Sequence, residues 1–330
     1  INNGKRNVQK GLYDDAIKSY QSILNNHPYF PEAEFYMGLT RFRQKDIENA
    51  AKHFSNALKL YPEHVKARKG LDNVTKQFLN IGNKSYKSGN LNKAKEYYNK
   101  CLVFDPNFYL AYYQLGTLER KQGDSKAAIY NLNKSLEIKS DHDKTWFTLG
   151  AVYEADGNNK DAIIHYEKAI EINPGYSKAY GNLGKLYTYN KEYKKAEDLL
   201  KTIIQIDPNF ANGYMRLGFV YIEIENFEKA VEYLQLSVNM DEKDYNKYYN
   251  LALSYNKLNK WNEASINAQK CVDLKKNYGG GWLELGIAYI GKKNNTRARK
   301  YFERARDDRD FREFAETEID KIDNPTKYQK

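Results

Sequence analysis

The chain has 330 residues, with 53 Lys and Arg against 43 Asp and Glu for a net charge of +10, and 41% of its residues are hydrophobic. A mean hydropathy of −0.85, with no apolar run near the roughly 18 residues that a spanning helix needs, excludes a helical membrane span. The apolar content likewise excludes a chain that is disordered throughout.

Ala16 and Ala50 stand 34 residues apart, and that step recurs through Ala94, Ala128, Ala162, Ala196, Ala230, Ala264 and Ala298, with a single step of 44 between Ala50 and Ala94. A period of this length marks a repeat array, in which each unit buries its apolar face only against its neighbours. Twelve positions before the alanines stand Gly4, Gly38, Gly82, Gly116, Gly150, Gly184, Gly218, Ala252 and Gly286, where helix must approach helix closely. Four positions after them come Tyr20, Phe54, Tyr98, Leu132, Tyr166, Leu200, Leu234 and Phe302 as core wedges, with Ala268 the exception.

Taken in order, the first unit spans 1–30 and lacks its opening residues; the second spans 31–64. Pro28, Pro62, Pro106, Pro174 and Pro208 mark helix ends, because proline lacks the backbone donor and biases the preceding residue away from helix. Residues 65–74 are an insertion that keeps the helical spacing of the third unit, through Leu71, Val74, Phe78, Ile81 and Ser85. They predict one long helix, extended by roughly 15 Å at about 1.5 Å per residue. Gly70 costs about 1 kcal/mol relative to alanine and is where that helix would kink or break. The insertion either spaces and bends the array or presents an end that docks a partner.

Units 75–108, 109–142, 143–176, 177–210, 211–244, 245–278 and 279–312 complete the array. In the fifth, Trp146, Leu149, Gly150 and Tyr153, then Ala162, Tyr166, Ala169 and Ile170, fall at helical spacing, so each unit is two helices. Gly89 with Asn90, and Gly157 with Asn158, make the turn between them. Glu242, Lys276 and Asp310 hold the proline position of the last three units, where less sharply defined helix ends are expected. Gly279, Gly280 and Gly281 read as a flexible joint before the last unit. Residues 313–330 read as a capping helix and tail, with Phe314, Ile319 and Ile322 on one side of the helix and acids on the other.

An aromatic, then Leu-Gly, Tyr, Ala, an aromatic, a small residue and Pro at these offsets resemble the tetratricopeptide repeat family, and the resemblance covers residues 1–312. It implies an all-α fold, a right-handed α-solenoid or superhelix of about nine repeats. The concave face, lined by the first helix of each unit, would receive an extended or helical peptide. The family's groove offsets fall on Phe35, Leu39, Phe42, Leu79, Tyr86, Tyr113, Phe147, Tyr189, Met215, Phe219, Ile222, Tyr249, Leu253, Leu283, Ile287 and Ile290. Interleaved with them are Lys5, Arg43, Lys76, Asn83, Lys87, Arg120, Lys121, Lys144, Lys178, Lys185, Asn212, Asn246 and Asn256. Such a groove implies a protein partner whose segment carries apolar anchors for affinity and acidic side chains for approach and register. Some of these aromatics would instead pack against neighbouring helices. The carboxylate clamp of chaperone-tail binders is not reproduced, since Lys5, Leu39 and Asn83 occupy its successive positions. Nor is the asparagine ladder of sugar-transferring repeat enzymes, for which only Asn80, Asn182 and Asn250 fall at the required offset.

No catalytic constellation emerges. The Gly-Asn-Leu-Gly-Lys string at 181–185 lacks the spacing and the following Ser or Thr of a phosphate loop. Cys101 and Cys271 occupy a small-residue slot of the second helix and read as buried thiols too far apart to be bridged. His27, His53, His64, His142 and His165 show no metal spacing. The chain therefore reads as a non-catalytic protein-interaction scaffold without cofactor, metal or small-molecule substrate. Two alternatives stand: the regulatory or substrate-recognition part of a larger enzyme, and a binder of anionic surfaces or nucleic acid. Against the latter, Arg297, Arg299, Arg304, Arg306, Arg309 and Arg312 are threaded by Glu303, Asp307, Asp308, Asp310 and Glu313. Arg304 with Asp308 and Arg309 with Glu313 would pair one helical turn apart. The chain opens at Ile1 within a repeat and is expected to be a fragment or processed part of something longer. Its Lys, Asn, Ile and Tyr content, with the array, also resembles the repeat-bearing part of spirochaetal surface-located membrane proteins, which implies a place at the cell envelope.

Overall fold

A computed structural model describes residues 1–328 and is helical from end to end, with no strand among the described residues. In chain order the helices are α1 (Asn2–Gln9) with α2 (Tyr13–Asn26), α3 (Pro31–Arg43) with α4 (Ile47–Leu60), and α5 (Val65–Lys87) with α6 (Leu91–Phe104). They continue as α7 (Tyr109–Gln122) with α8 (Ser125–Ile138), α9 (Asp143–Ala155) with α10 (Asn159–Ile172), and α11 (Ser177–Tyr189) with α12 (Tyr193–Ile206). The last are α13 (Ala211–Glu223) with α14 (Phe227–Met240), α15 (Tyr245–Lys257) with α16 (Trp261–Leu274), α17 (Gly279–Gly291) with α18 (Asn295–Ala305), and α19 (Arg312–Asp323). The chain forms two compact units, Ile1–His165 and the remainder from Tyr166. In the first, α3, α5, α7 and α9 pack successively on one another as well as on their sequence neighbours; in the second, α11, α13, α15 and α17 do so. This nearest-neighbour packing of helix pairs is that of an α-solenoid.

The glycines predicted to allow close approach lie against the wedge of their own pair. A Cβ would stand 2.8 Å from the Phe54 ring at Gly38, 2.5 Å from Tyr98 at Gly82, 2.6 Å from Leu132 at Gly116 and 2.3 Å from Phe302 at Gly286. Gly70 obeys the same constraint, with a Cβ there 2.7 Å from the Phe54 ring. It does not break α5, which runs unbroken for 23 residues. Glycine is required because the Phe54 ring lies against both α3 and α5. The helix starts at His64, whose Nδ1 accepts from the Ala67 N–H at 3.2 Å.

Each pair turns through one device. Gly11, Lys45, Gly89, Gly123, Gly157, Lys191, Glu225, Asn259 and Lys293 all adopt left-handed backbone, although five of them are not glycine. The next residue opens the second helix, and Asp46, Asn90, Asp124, Asn158, Asn226 and Asn294 each accept an orphan N–H there. Leu12, Glu192 and Lys260 supply no such bond.

The helix ends expected to blur without proline do not. Helices α14 and α16 are each 14 residues long, as are α10 and α12, which precede prolines. A donor from the following helix substitutes for the ring. The Trp282 indole donates to the Lys276 carbonyl at 2.7 Å, as Trp146 does to Ser140 at 2.7 Å. At the α14 end, the Lys247 ammonium, only 2% exposed, donates to the carbonyls of Ser237 at 3.3 Å and Asp241 at 3.1 Å and to the Asp241 carboxylate at 2.9 Å. Only α18, at 11 residues, stops early.

The C-terminal region corrects three further expectations. Gly279, Gly280 and Gly281 are not a joint but the buried start of α17, tight against Asp308, Phe311 and Cys271 respectively, and the Gly279 N–H donates to Asp308 at 2.7 Å. Phe314 is 65% exposed; Ala315, Ile319, Ile322 and Phe311 pack on the core instead. Because the chain leaves the helix after Ala305, the one-turn pairs of Arg304 with Asp308 and Arg309 with Glu313 do not form. Arg304 lies over the Trp282 ring at 4.7 Å, and Arg299 pairs with Glu303 and with Asp323 of α19. Cys101 and Cys271 are free and buried, and burial pushes both thiols up to about 12.

Candidate partner-binding face

The alternation of small residue and wedge turns one side of each first helix towards its second helix, which leaves the other side to carry the groove offsets. In the first unit, α3 bears Phe35, Leu39, Phe42 and Arg43, α5 bears Lys76, Leu79, Asn83 and Tyr86, α7 bears Tyr113, and α9 bears Lys144 and Phe147. Arg43, Lys76 and Lys144 are exposed; Leu39, Phe42, Tyr86, Tyr113 and Phe147 are half-buried. Phe35 and Leu79, each 8% exposed, belong to the core instead. Phe35 is covered because the start of α5 brings His64 to 5.1 Å from its ring while Phe54 lies at 6.0 Å. Asn83 is also engaged, accepting from the Tyr98 hydroxyl at 3.0 Å. The Tyr113 ring meets His142 edge-on at 5.0 Å, and burial lowers the affinity of that imidazole for a proton.

In the second unit, Lys178 and Tyr189 are exposed on α11, with the Lys185 ammonium 5.9 Å from the Tyr189 ring. Met215 and Phe219 on α13, and Tyr249 and Leu253 on α15, are half-buried. Tyr249 packs edge-on against Tyr278 at 5.3 Å and Phe311 at 6.4 Å, and burial pushes its phenol up.

Two features were not foreseen. Between α15 and α17, the Asn256 amide donates to the Glu284 carboxylate at 2.8 Å and to its backbone carbonyl at 2.9 Å. Burial pushes Glu284 up to about 7, and the Asn256 Oδ1 has no partner. Between α1 and α3 lies a cleft of about 260 Å³ whose lining includes Tyr20, Lys5, Arg43 and Leu39. The one sequence signal for it was the hydroxyl on the Tyr20 wedge, which distinguishes tyrosine from the Phe54 and Leu132 wedges. Among the described residues, no three His, Cys, Asp or Glu side chains gather as a metal site, and no helix is long and apolar enough to cross a membrane.

The fold is that of a helical repeat scaffold. Four family models, each described as tetratricopeptide repeat, match residues 109–175, 153–211 with 188–255, 2–65, and 78–108. The chain belongs to the tetratricopeptide repeat family, whose members generally mediate protein–protein interactions on a fold that is in general non-catalytic. It is 33% identical over 99 residues to human DnaJ homolog subfamily C member 7, a stretch that is 29% of this chain and 20% of that relative. It thus spans about a fifth of that relative's length. A tetratricopeptide repeat protein from Parabacteroides merdae superimposes with a TM-score of 0.56 at 17% identity, over 76% of this chain and 99% of that one. A chain of the APC/C hetero-tetramer Cut9–Hcn1 does so with a TM-score of 0.60 at 16% identity, over 94% of this chain and 59% of its own. At such identities the likeness is one of fold. Placement at a spirochaetal cell surface rests on composition alone and finds no support among these relatives.

Proposed function

We propose that the chain is a non-catalytic scaffold that holds a partner protein's segment on the first-helix faces, through apolar anchors and flanking acidic side chains. The observation that carries this reading is the juxtaposition of half-buried Leu39, Phe42, Tyr86 and Phe147 with exposed Arg43, Lys76 and Lys144 in one unit. Half-buried side chains already held by packing lose little rotamer freedom on binding, while exposed cations steer an acidic segment and set its register. Met215, Phe219 and Leu253, with Lys178, offer the same combination in the other unit. The test is selection of binders from a displayed peptide library, followed by titration against variants. Phe147→Ala or Phe219→Ala should weaken selected peptides tenfold or more, as truncation of a binding anchor does. Reversal of Lys76 and Lys144 to Glu should slow association and flatten its salt dependence. Selected peptides indifferent to all of these changes would remove the first-helix faces as the site.

A further inference from the structure

The hydroxyl at the tip of Tyr20, a second-helix wedge that reaches the cleft between α1 and α3, is a buried hydrogen-bonding group that the fold leaves without a partner. Tyr20 is 0% exposed, and its hydroxyl is buried without a hydrogen-bond partner. The same wedge elsewhere is completed by an asparagine. Tyr98 donates to Asn83, 15 positions before it, at 3.0 Å, and Tyr166 accepts from Asn182, 16 positions after it, at 3.1 Å. The corresponding positions around Tyr20 are Lys5 and Tyr36, neither of which bonds it. Lys5 lies over the Tyr36 ring, its ammonium 4.4 Å from the centroid, and Tyr36 stacks on Tyr20 at 5.9 Å. An ammonium has no lone pair, so it cannot accept the phenol proton. Both groups are donors, so neither can satisfy the other.

Arg43 supplies a third donor to the same cleft, and its charge is felt at the Tyr20 hydroxyl. Neither Lys5 nor Arg43 makes an ion pair among the described residues. Burial pushes the phenol of Tyr20 up, with Tyr36 adding to it and Arg43 opposing, so the group remains a proton donor. Three donors and two positive charges converge, with no acid in the lining, on a space of about 260 Å³. Val8 and Leu39 give the wall its aliphatic surface, beside Gln9, Tyr36 and Thr40.

We propose that this cleft binds a single carboxylate, held by the Tyr20 hydroxyl, the Lys5 ammonium and the Arg43 guanidinium, with the carboxylate's apolar stem against Val8 and Leu39. It deepens, and rests on, the reading of the first-helix face as a partner-binding surface: here an acidic group of the partner is seated. Charge-assisted hydrogen bonds of this kind are the strong ones, and a partner placed here completes a buried donor that the fold leaves bare.

The test uses the whole chain and three small probes in ligand-observed NMR titrations. N-acetyl-leucine carries a chain-terminal carboxylate, N-acetyl-aspartyl-leucinamide a side-chain carboxylate, and N-acetyl-leucinamide none. At least one acid should bind and the amide should not, and the acid that binds identifies the source. Tyr20→Phe should weaken it about tenfold, the effect of losing one hydrogen bond to a charged group, while leaving Tm unchanged or higher, because that hydroxyl bonds nothing in the fold. Lys5→Met, at a half-buried site on a short helix, should weaken binding and its salt dependence together. Acids that bind no better than the amide, or equal affinity in wild type and Tyr20→Phe, would overturn the proposal, as would preference for inorganic phosphate. Phe42→Ala, tried against library-selected peptides in parallel, separates the two levels. Loss there with Tyr20→Phe unaffected removes the carboxylate seat and keeps the binding face; indifference to both removes the face in this unit.

Discussion

Single side chains carry more of this structure than repeat periodicity implies. Lys247 stands where other units place a small residue such as Ala33, Ala111 or Ala179, and its buried ammonium finishes the carbonyl end of α14. Lys247→Met should destabilise by about 1–3 kcal/mol in urea unfolding, the range for leaving buried acceptors unpaired. Its hydrogen bond also holds the Asp241 carboxyl below its ordinary range. Glu284 works the other way. Its proton affinity is raised from 4.5 to about 7 by burial, so the folded chain binds that proton more tightly than the unfolded one. Stability from this group is present below about 4.5 and is lost as pH rises through about 7. Glu284→Gln should flatten that slope and raise stability at pH 8, since a glutamine amide can donate to the unpartnered Asn256 Oδ1. Thermal melts from pH 5 to 8 check this, and an unchanged slope in the variant would show that Glu284 does not titrate there.

At the level of elements, two devices set helix length and direction. A left-handed residue closes every first helix, five of the nine not glycine, and at six of the nine turns the next residue caps the second helix with its side chain. Lys191→Gly should therefore stabilise α11 with α12, because the strain of about 1 kcal/mol or more in an L residue held left-handed exceeds the entropy that glycine adds to the unfolded chain. Lys260→Asn should add about 1 kcal/mol by capping α16. Either effect is read as a shift in denaturation midpoint. Opposing effects meet in α5. Helix propensity alone favours Gly70→Ala by about 1 kcal/mol, whereas the new Cβ would stand 2.7 Å from the Phe54 ring. Overpacking of about 1–3 kcal/mol should win, so the substitution is expected to destabilise.

Within each of the two units, the described helix contacts are between near neighbours in sequence, so perturbations should stay local. Gly70→Ala should speed amide hydrogen exchange in α3 to α6 while leaving α15 to α18 as in wild type. A uniform rise would show that the array unfolds as one cooperative body. The division into nine repeats with a capped end remains our proposal for how that locality is organised, and exchange measured helix pair by helix pair tests it.

Sequence by itself determined the helix pairs, their pitch along the chain and the small-residue-to-wedge contacts, because a 34-residue period writes local geometry directly into residue spacing. Which side chains share the side of each first helix turned away from its second helix was legible for the same reason. Only the tertiary structure decided what each position on that face could do. Phe35 was taken into the core by a long α5 whose start packs on it, and Asn83 was taken by the Tyr98 hydroxyl. The glycine run at the start of α17 became rigid because Asp308, Phe311 and Cys271 close on it. Tyr20 became a donor awaiting an acceptor because its two asparagine positions hold Lys5 and Tyr36. Spacing says which side chains share a face; whether a group on that face is already satisfied depends on residues from other helices, and only packing brings those together.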